Sequence, residues 1–175
     1  MKIIGLLSDT HGQLDDKFLK FFEPCHQLWH AGDIGSLKFA DKLAAFKPLV
    51  AVSGNIDDHT TRLVYPMEQR FTIEGVDVFM THIGGYPGHY AANVKSVLQY
   101  NPPKIFVCGH SHILRVMYDK KYGTLVMNPG ASGLQGFHQV RTALRFVIDG
   151  GEVSGLEICE LPRTGVESPK NDIIL

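Results

Sequence analysis

A short apolar run that ends in two histidines constrains the fold more than any other stretch of this chain. The run Lys104–Val107 follows two prolines and leads into residues 108–112, in which His110 and His112 flank a serine. An apolar run bounded in this way predicts a buried strand, so the histidines leave the sheet at its carboxyl end. Open α/β sheets bind their ligands at that edge. Taken alone, the segment fits a pair of hydrogen-bonded loop histidines equally well.

The same arrangement recurs along the chain, where apolar strands give way to side chains of the ligand type, most of them beside a glycine. The residues concerned are Asp9, His11, Asp33, Asn55 and His82. Each alone fits a turn, a helix cap or a core histidine. If the strands lie side by side, however, their carboxyl ends share one edge and all seven side chains converge. His30 lies inside its run, and we interpret it as a packed, hydrogen-bonded imidazole.

The periodicity of the remaining segments predicts an α/β fold with mixed sheets. Helical spacing covers residues 14–23, 36–46 and 91–100, and adjacent apolar runs predict hairpins over 69–80, 113–127 and 143–160. Hairpins require antiparallel pairs, so the sheets cannot be wholly parallel. Residues 83–90, with three glycines and a proline, form a loop that carries His89 at its far end.

Length and composition bound the class of protein. The 175 residues are 44% hydrophobic, which suits one domain spanning 1–175 with a loosely held tail from about residue 162. A net charge of −1 gives no indication of a nucleic-acid or membrane surface. The three scattered cysteines suggest neither a disulfide framework nor a thiolate zinc site. No signal-peptide or membrane-spanning run is present, so we expect a cytoplasmic protein.

The donor set indicates a metal site with catalytic chemistry. Seven oxygen and imidazole donors exceed what one catalytic ion needs, but they suit two ions with a carboxylate between them. Divalent transition metals fit these donors; manganese is the expected ion, with nickel, iron, cobalt or zinc as alternatives. Because two such ions can hold a bridging hydroxide and bind phosphoryl oxygens, hydrolysis of a phosphate ester is the expected reaction.

These motifs, in this order, resemble the signature of the calcineurin-like metallophosphoesterases. Chain length and the turn that begins at Asn128 resemble a subgroup of small bacterial and archaeal phosphodiesterases related to the retromer subunit of Vps29 type. The resemblance implies a four-layer αββα sandwich, in which two mixed β-sheets pack face to face with helices outside. It also implies one metal bound by Asp9, His11 and His112, a second bound by Asn55, His82 and His110, and Asp33 bridging the two.

The chain departs from the family pattern directly after Asn55. Many relatives carry a histidine there as a proton donor to the leaving group, whereas this chain has Ile56, which has no proton to donate. The candidate substitutes are Asp57, Asp58, His59 and the loop residue His89, although residues 57–59 fit a solvated polar turn better. Asn128 either orients a ligand histidine or is a simple turn residue.

The expected function is therefore a dinuclear phosphodiesterase acting on a small phosphate ester. A phosphomonoesterase and a protein-binding scaffold with a vestigial metal site are the alternatives. We expect no membrane partner and no nucleic-acid partner, since the chain lacks the basic surface that gripping a long polyanion requires. The sequence leaves a homo-oligomeric state open.

Overall fold

The computed structural model describes residues 1–163, which form ten strands and four helices. The strands are β1 (Lys2–Leu7), β2 (Gln27–His30), β3 (Leu49–Ala51), β4 (Glu68–Ile73), β5 (Val76–Thr81), β6 (Ile105–Val107), β7 (Leu114–Asp119), β8 (Thr124–Pro129), β9 (Val140–Asp149) and β10 (Glu152–Pro162). The helices are α1 (Asp16–Phe22), α2 (Leu37–Phe46), α3 (His59–Val64) and α4 (Ala92–Tyr100).

The strands form two mixed sheets of five strands each. One has the order β10-β9-β1-β2-β3 and the other the order β4-β5-β6-β8-β7. The central strands are parallel in both sheets: β1, β2 and β3 in the first, and β5, β6 and β8 in the second. Antiparallel hairpins complete the edges. The carboxyl ends of the parallel strands therefore lie together at one edge of each sheet.

The largest hydrophobic cluster lies between the two sheets. It brings Leu6 and Trp29 of the first sheet together with Met80 and Val107 of the second, all at most 1% exposed. The Trp29 ring meets Phe71 of the opposite sheet edge-on, with 5.2 Å between the ring centroids. Each such large apolar side chain contributes about 1.5–3 kcal/mol through burial. The two sheets thus pack face to face.

Helices cover the outer faces of both sheets. Phe18 and Phe22 of α1 and Leu43 of α2 bury their side chains against the first sheet. Val94 and Leu98 of α4 do the same against the second. Layer by layer the order is helix, sheet, sheet, helix. The α/β sandwich with two mixed sheets that the sequence predicts is confirmed.

Local details differ from the sequence prediction in two places. Helix α3 is not predicted by the sequence; it begins at His59, the last residue of the segment 57–59 that we interpret as a solvated turn, and the Asp58 carboxylate caps it by accepting from Thr61 N at 2.8 Å. The threonine-rich segment has low helix propensity, and its cap and tertiary position outweigh that preference. In addition, β8 continues through Asn128 and Pro129, so the polar turn begins later than expected.

The chain end is described only in part. Pro162 is paired with Val140 as the last residue of β10, and the tail from residue 164 onward lies outside the described residues. A single domain spanning 1–175 stays a prediction. Within residues 1–163, every helix is too short or too polar to cross a membrane.

Candidate metal centre

Five of the seven predicted ligands meet at the strand ends. Their ligand atoms form two overlapping groups, each with all atoms within 4.8 Å of one another. The groups are Asp9, His11 and His112, and Asp9, Asp33 and His82. Asp9 and His11 follow β1 and Asp33 follows β2, whereas His82 follows β5 and His112 follows β6. The centre therefore draws on both sheets and lies where the sheets meet.

The two aspartates occupy the middle of the cluster. The Oδ1 atom of Asp9 lies 3.1 Å from His112 Nε2 and 3.9 Å from His82 Nε2. The two oxygens of Asp33 diverge: Oδ1 lies 3.3 Å from His82 Nε2, and Oδ2 lies 4.0 Å from His11 Nε2. Asp33 thus spans the two histidines, and Asp9 is common to both groups.

The backbone at these ligands adopts the left-handed conformation that side chains rarely occupy. Asp9, His11, Asp33, His110 and His112 have φ angles between 49° and 67°. Within residues 1–163, Glu74, in a hairpin turn, is the one other non-glycine residue with positive φ. Each such residue costs on the order of 1 kcal/mol or more, and such strain concentrates at functional sites. Tertiary contacts therefore hold these residues in an unfavourable backbone conformation that orients their side chains toward one another.

Close approach of loops also demands glycine beside the ligands. A Cβ at Gly54 would lie 2.0 Å from Asp33 Oδ1, and one at Gly109 would lie 2.1 Å from Ser8 Oγ. Only a residue without a side chain lets these loops pass so near the carboxylates. This accounts for the glycine that the sequence places beside most of the predicted ligands.

Several polar atoms of the centre are buried without a hydrogen-bond partner. Among the described residues they include Asp9 Oδ1, His11 Nε2 and His82 Nε2. Asp9 is fully buried, and Asp33 and His82 are each 3% exposed. An unpartnered buried carboxylate oxygen costs several kcal/mol in an apolar surrounding, so these atoms need a counterpart. Carboxylate oxygens and imidazole nitrogens fit a borderline divalent cation, and the residues present therefore suit a metal ion.

The hydrogen bond of His82 fixes its tautomer in the form that a metal requires. Its Nδ1 lies 2.7 Å from the carbonyl oxygen of Ala31. A carbonyl oxygen only accepts, so Nδ1 carries the proton and the neutral ring presents a bare Nε2 to the aspartates. Ligating histidines commonly donate their other ring N–H in this way.

Charge attraction within the centre perturbs two side chains in opposite directions. Burial raises the pKa of Asp33, but the adjacent His82 imidazole outweighs it, and the net pKa is lowered. Burial lowers the pKa of His82, but the Asp33 and Asp9 carboxylates outweigh it, and the net pKa is raised. The carboxylates therefore favour positive charge at this point, whether a proton or a cation carries it.

His138 contacts the centre and was missed in the sequence. Its Nδ1 lies 3.2 Å from His112 Nδ1, and its Nε2 lies 3.0 Å from the carbonyl oxygen of Gly133. Burial lowers the pKa of His138, which favours the neutral ring. With Nε2 donating to the carbonyl, Nδ1 accepts from His112 and leaves His112 Nε2 bare toward Asp9. His138 follows no apolar strand, so no local pattern marks it.

The two remaining predicted ligands lie at the margin of the centre. His110 is exposed, its ring centroid lies 5.2 Å from that of His82, and its backbone N–H donates to Asp9 Oδ2 at 3.1 Å. Asn55 is exposed too. The next residue, Ile56, donates its backbone N–H to Asp33 Oδ1 at 3.1 Å. Both loops therefore flank the cluster through their backbones.

Asp57 is buried, which corrects its interpretation as a solvated turn residue. It is 3% exposed, and its carboxylate accepts backbone N–H groups from Gly54 at 2.7 Å, Gly35 at 2.8 Å and Ile34 at 3.1 Å. Both oxygens are engaged in tying the Asp33 loop to the Asn55 loop. This arrangement favours a structural role over proton transfer.

Asn128 holds a loop and not an imidazole ring. Its Nδ2 donates to Gly109 O at 2.8 Å and to Ser111 Oγ at 3.1 Å, and its Oδ1 accepts from Gly130 N at 3.0 Å. The side chain thus fixes the backbone on both sides of His110. Its action on the ligands passes through the main chain, a more indirect route than the sequence predicts.

The prediction that His30 is a packed, hydrogen-bonded imidazole is confirmed. The residue is fully buried; its Nδ1 accepts from Gly32 N at 3.2 Å, and its Nε2 lies 2.8 Å from Thr10 Oγ1. Since Nδ1 accepts, Nε2 carries the proton and donates it to Thr10, which in turn donates to Ile34 O at 3.0 Å. The network joins the Asp9 loop to the Asp33 loop.

A cavity of about 330 Å³ adjoins the centre and shares His110 with it. His89 and Tyr86 lie on its wall, with their ring centroids 4.9 Å apart. His89 thus lines a cavity next to the candidate metal centre, whereas Asp57 is buried among backbone amides and is not among the residues that line this cavity.

The family model of the calcineurin-like phosphoesterase superfamily domain matches residues 1–151. The chain belongs to this superfamily. The family resemblance that the sequence motifs indicate is therefore confirmed. No curated protein matches the chain.

Among solved structures, three examples are similar to this chain over nearly their whole length. A single-mutant Vps29 from Entamoeba histolytica has a TM-score of 0.72 at 14% identity, covering 91% of this chain and 98% of its own. The Thermotoga maritima protein TM1076 has a TM-score of 0.70 at 25% identity, covering 92% and 100%. An archaeal phosphodiesterase has a TM-score of 0.69 at 20% identity, covering 91% and 99%. The Entamoeba Vps29 is also known in complex with Zn²⁺.

Proposed function

We propose that this calcineurin-like chain is a metal-dependent phosphodiesterase that binds two divalent transition-metal ions and hydrolyses a small phosphate ester. The observation that carries the proposal is the set of buried, unpartnered ligand atoms on Asp9, His11 and His82. A divalent ion would supply the counterpart that these buried atoms lack. An archaeal phosphodiesterase of the same fold supports the choice of a diester substrate.

The proposed ligands divide into two sets around a shared carboxylate. Asp9, His11 and His112 hold the first ion, Asn55, His82 and His110 hold the second, and Asp33 bridges them. Support comes from the Asp9, His11 and His112 group and from the two oxygens of Asp33, which face His11 and His82 separately. Manganese is the proposed ion; nickel, iron, cobalt and zinc suit the same donors.

When bound, the two ions supply a hydroxide nucleophile at neutral pH and neutralise charge on the phosphoryl oxygens. The chain's own residues orient this chemistry. Ala31 O holds His82, and His138 holds His112, each with its Nε2 bare toward the aspartates. Asn128 fixes the loop that carries His110.

We propose His89 as the proton donor to the leaving-group oxygen. Ile56 cannot supply a proton, and the Asp57 carboxylate is engaged by three backbone amides. His89 is exposed on the cavity wall that His110 shares. An imidazolium side chain can donate a proton to a leaving-group oxygen.

A protein-binding scaffold is the alternative that the sequence also allows. Exposed apolar side chains near the centre favour it: Ile56 is 47% exposed, Ile83 48% and Ile113 56%. The retained aspartates and histidines, with their strained backbones, favour the enzyme, since a vestigial site has no use for either.

Hydrolysis assays on metal-stripped protein test the proposal. Bis(p-nitrophenyl) phosphate and p-nitrophenyl phosphate are compared with and without added Mn²⁺, in the native chain, in Asp33→Asn and in Asp41→Asn, an exposed control. We expect Mn²⁺-dependent hydrolysis, faster for the diester, in the native chain and the control, and its loss in Asp33→Asn. Equal hydrolysis rates in metal-stripped and Mn²⁺-loaded protein would refute the proposed metal-dependent phosphodiesterase. Faster hydrolysis of p-nitrophenyl phosphate than of bis(p-nitrophenyl) phosphate would support the alternative, a phosphomonoesterase.

A further inference from the structure

The cavity beside the proposed metal centre carries one arginine, Arg115, on its wall. Its lining includes Ile83, Tyr86, His89 and Arg115 together with His110 of the centre, and no aspartate or glutamate is among the lining residues in the described part of the chain. At about 330 Å³ it is of the size that holds a small ligand or one arm of a larger one. It is therefore an extension of the proposed phosphoryl site.

Arg115 is positioned next to the loop that carries His110. In the antiparallel pair of β7 and β8, Arg115 lies directly opposite Asn128. Opposed residues of such a pair share one face of the sheet. Because the Asn128 amide donates to Gly109 O and Ser111 Oγ, the residues on either side of His110, Arg115 lies on the face that adjoins the centre.

The guanidinium of Arg115 has no polar partner. It stacks on the Tyr86 ring, 3.8 Å from the centroid, and within residues 1–163 it forms no hydrogen bond and no ion pair. The five other arginines of that range all donate to a carboxylate or a carbonyl: Arg62, Arg70, Arg141, Arg145 and Arg163. Arg115 is thus the exception among them.

A stacked guanidinium keeps its donors available. Stacking occupies the flat face of the group, whereas its N–H bonds point outward in the plane. That edge matches the paired oxygens of a phosphate or carboxylate, and phosphate accepts such bidentate contacts strongly. Half-buried on the wall of a cavity without acidic residues, Arg115 is preorganised for an anion.

We propose that this cavity binds a second anionic group of the substrate, a phosphate carried on one substituent of the phosphodiester, with Arg115 as its ligand and Tyr86 holding Arg115 in place. The substrate class is thereby a small phosphodiester that bears a further phosphate, such as a phosphorylated nucleotide ester. This inference rests on the proposed phosphodiesterase function, because the cavity matters as an extension of that site.

Calorimetric binding of a matched ligand pair to Mn²⁺-loaded protein tests the inference. Thymidine 3′,5′-bisphosphate and thymidine 5′-phosphate differ only in the additional phosphate. We expect the bisphosphate to bind about tenfold more tightly, as one charge-assisted contact typically gives. Arg115→Gln removes this preference, whereas the control Arg70→Gln, on an arginine paired with Asp77, retains it.

The outcomes separate the inference from the function on which it rests. Hydrolysis of bis(p-nitrophenyl) phosphate, which lacks the second anion, is measured in the same preparations, with Arg70→Gln as the variant expected to leave it unchanged. Hydrolysis without a bisphosphate preference, or a preference that survives Arg115→Gln, overturns the inference alone. An Arg115-dependent preference in a native chain that hydrolyses nothing overturns the phosphodiesterase and leaves the anion site.

Discussion

His112 Nδ1 lies 3.2 Å from His138 Nδ1, and His138 Nε2 reaches the carbonyl oxygen of Gly133. Two imidazoles thus connect a main-chain carbonyl to the proposed metal ligand Asp9. Because the Gly133 carbonyl oxygen cannot donate, it fixes the direction of both hydrogen bonds: His138 Nε2 donates to Gly133 O, and His112 Nδ1 donates to His138 Nδ1. His138 is accordingly a positioning residue that sets the tautomer of His112.

Replacing His138 is expected to weaken metal binding without unfolding the protein. His138→Ala should raise the dissociation constant for Mn²⁺ roughly 10–100-fold, as is typical when a partner of a ligand histidine is lost. His138→Gln should restore part of it, since its amide can both accept from His112 and donate to Gly133. Calorimetric titration measures the constants, with exposed His59→Ala as control. Native affinity in His138→Ala would contradict the role.

Adding one methyl group at Gly54 is expected to disturb Asp33. The Cβ of Gly54→Ala would lie 2.0 Å from Asp33 Oδ1 and 2.3 Å from Asp33 N, so the loops must separate. Overpacking of this kind costs about 1–3 kcal/mol, and we expect weaker Mn²⁺ binding as well. Ser96→Ala, at an exposed position of α4, is the control. Urea unfolding and metal titration measure both effects; unchanged metal affinity in Gly54→Ala would show that Asp33 tolerates displacement.

The buried His30 is expected to make stability depend on pH. Burial lowers its pKa from 6.5 to about 4. The unfolded chain therefore takes up this proton near pH 6.5 and the native chain only near pH 4, so acidification through that window favours unfolding. The loss approaches about 3 kcal/mol at the acidic end.

Urea unfolding of the native chain and of His30→Gln between pH 7.5 and pH 4 tests this expectation. The native chain should lose more stability than the variant over the range, whereas exposed His59→Gln should follow the native curve. Parallel curves for the native chain and His30→Gln would mean that His30 does not titrate differently on folding.

If His89 protonates the leaving group, its loss should matter in proportion to the basicity of that group. His89→Gln should leave hydrolysis of bis(p-nitrophenyl) phosphate nearly unchanged, since nitrophenolate leaves without a proton. It should slow hydrolysis of thymidylyl-(3′→5′)-thymidine, whose leaving group is an alcohol, by about 10²-fold or more. The ratio of the two rates is the measurement. An equal effect on both substrates would exclude His89 as the acid.

Much of the architecture was predictable because strand ends carry a local signal. Asp9, Asp33, His82 and His112 each follow an apolar run, and parallel strands bring such positions to one edge. The same reasoning did not identify His138 and Arg115, whose proposed roles depend on contacts with residues distant in sequence. His138 contacts His112, which lies 26 residues earlier in the sequence. Arg115 contacts Tyr86, which lies in the loop that follows β5.

The local sequence does not predict the burial of Asp57, for a related reason. A carboxylate in a polar segment is ordinarily solvated, and only the meeting of three separate amides removes it from water. Helix α3 was hidden by its low intrinsic propensity, although Asp58 in front of it carried the signal of a helix cap. Tertiary contacts decided both cases.

The proposed ligands follow strands of both sheets: Asp9, His11 and Asp33 follow strands of the first sheet, and His82 and His112 follow strands of the second. A cation bound among these residues would link the two sheets. Separation of the two sheets would then also release the cation. Substitutions that loosen the packing of Trp29 between the sheets should therefore appear first as weaker metal binding.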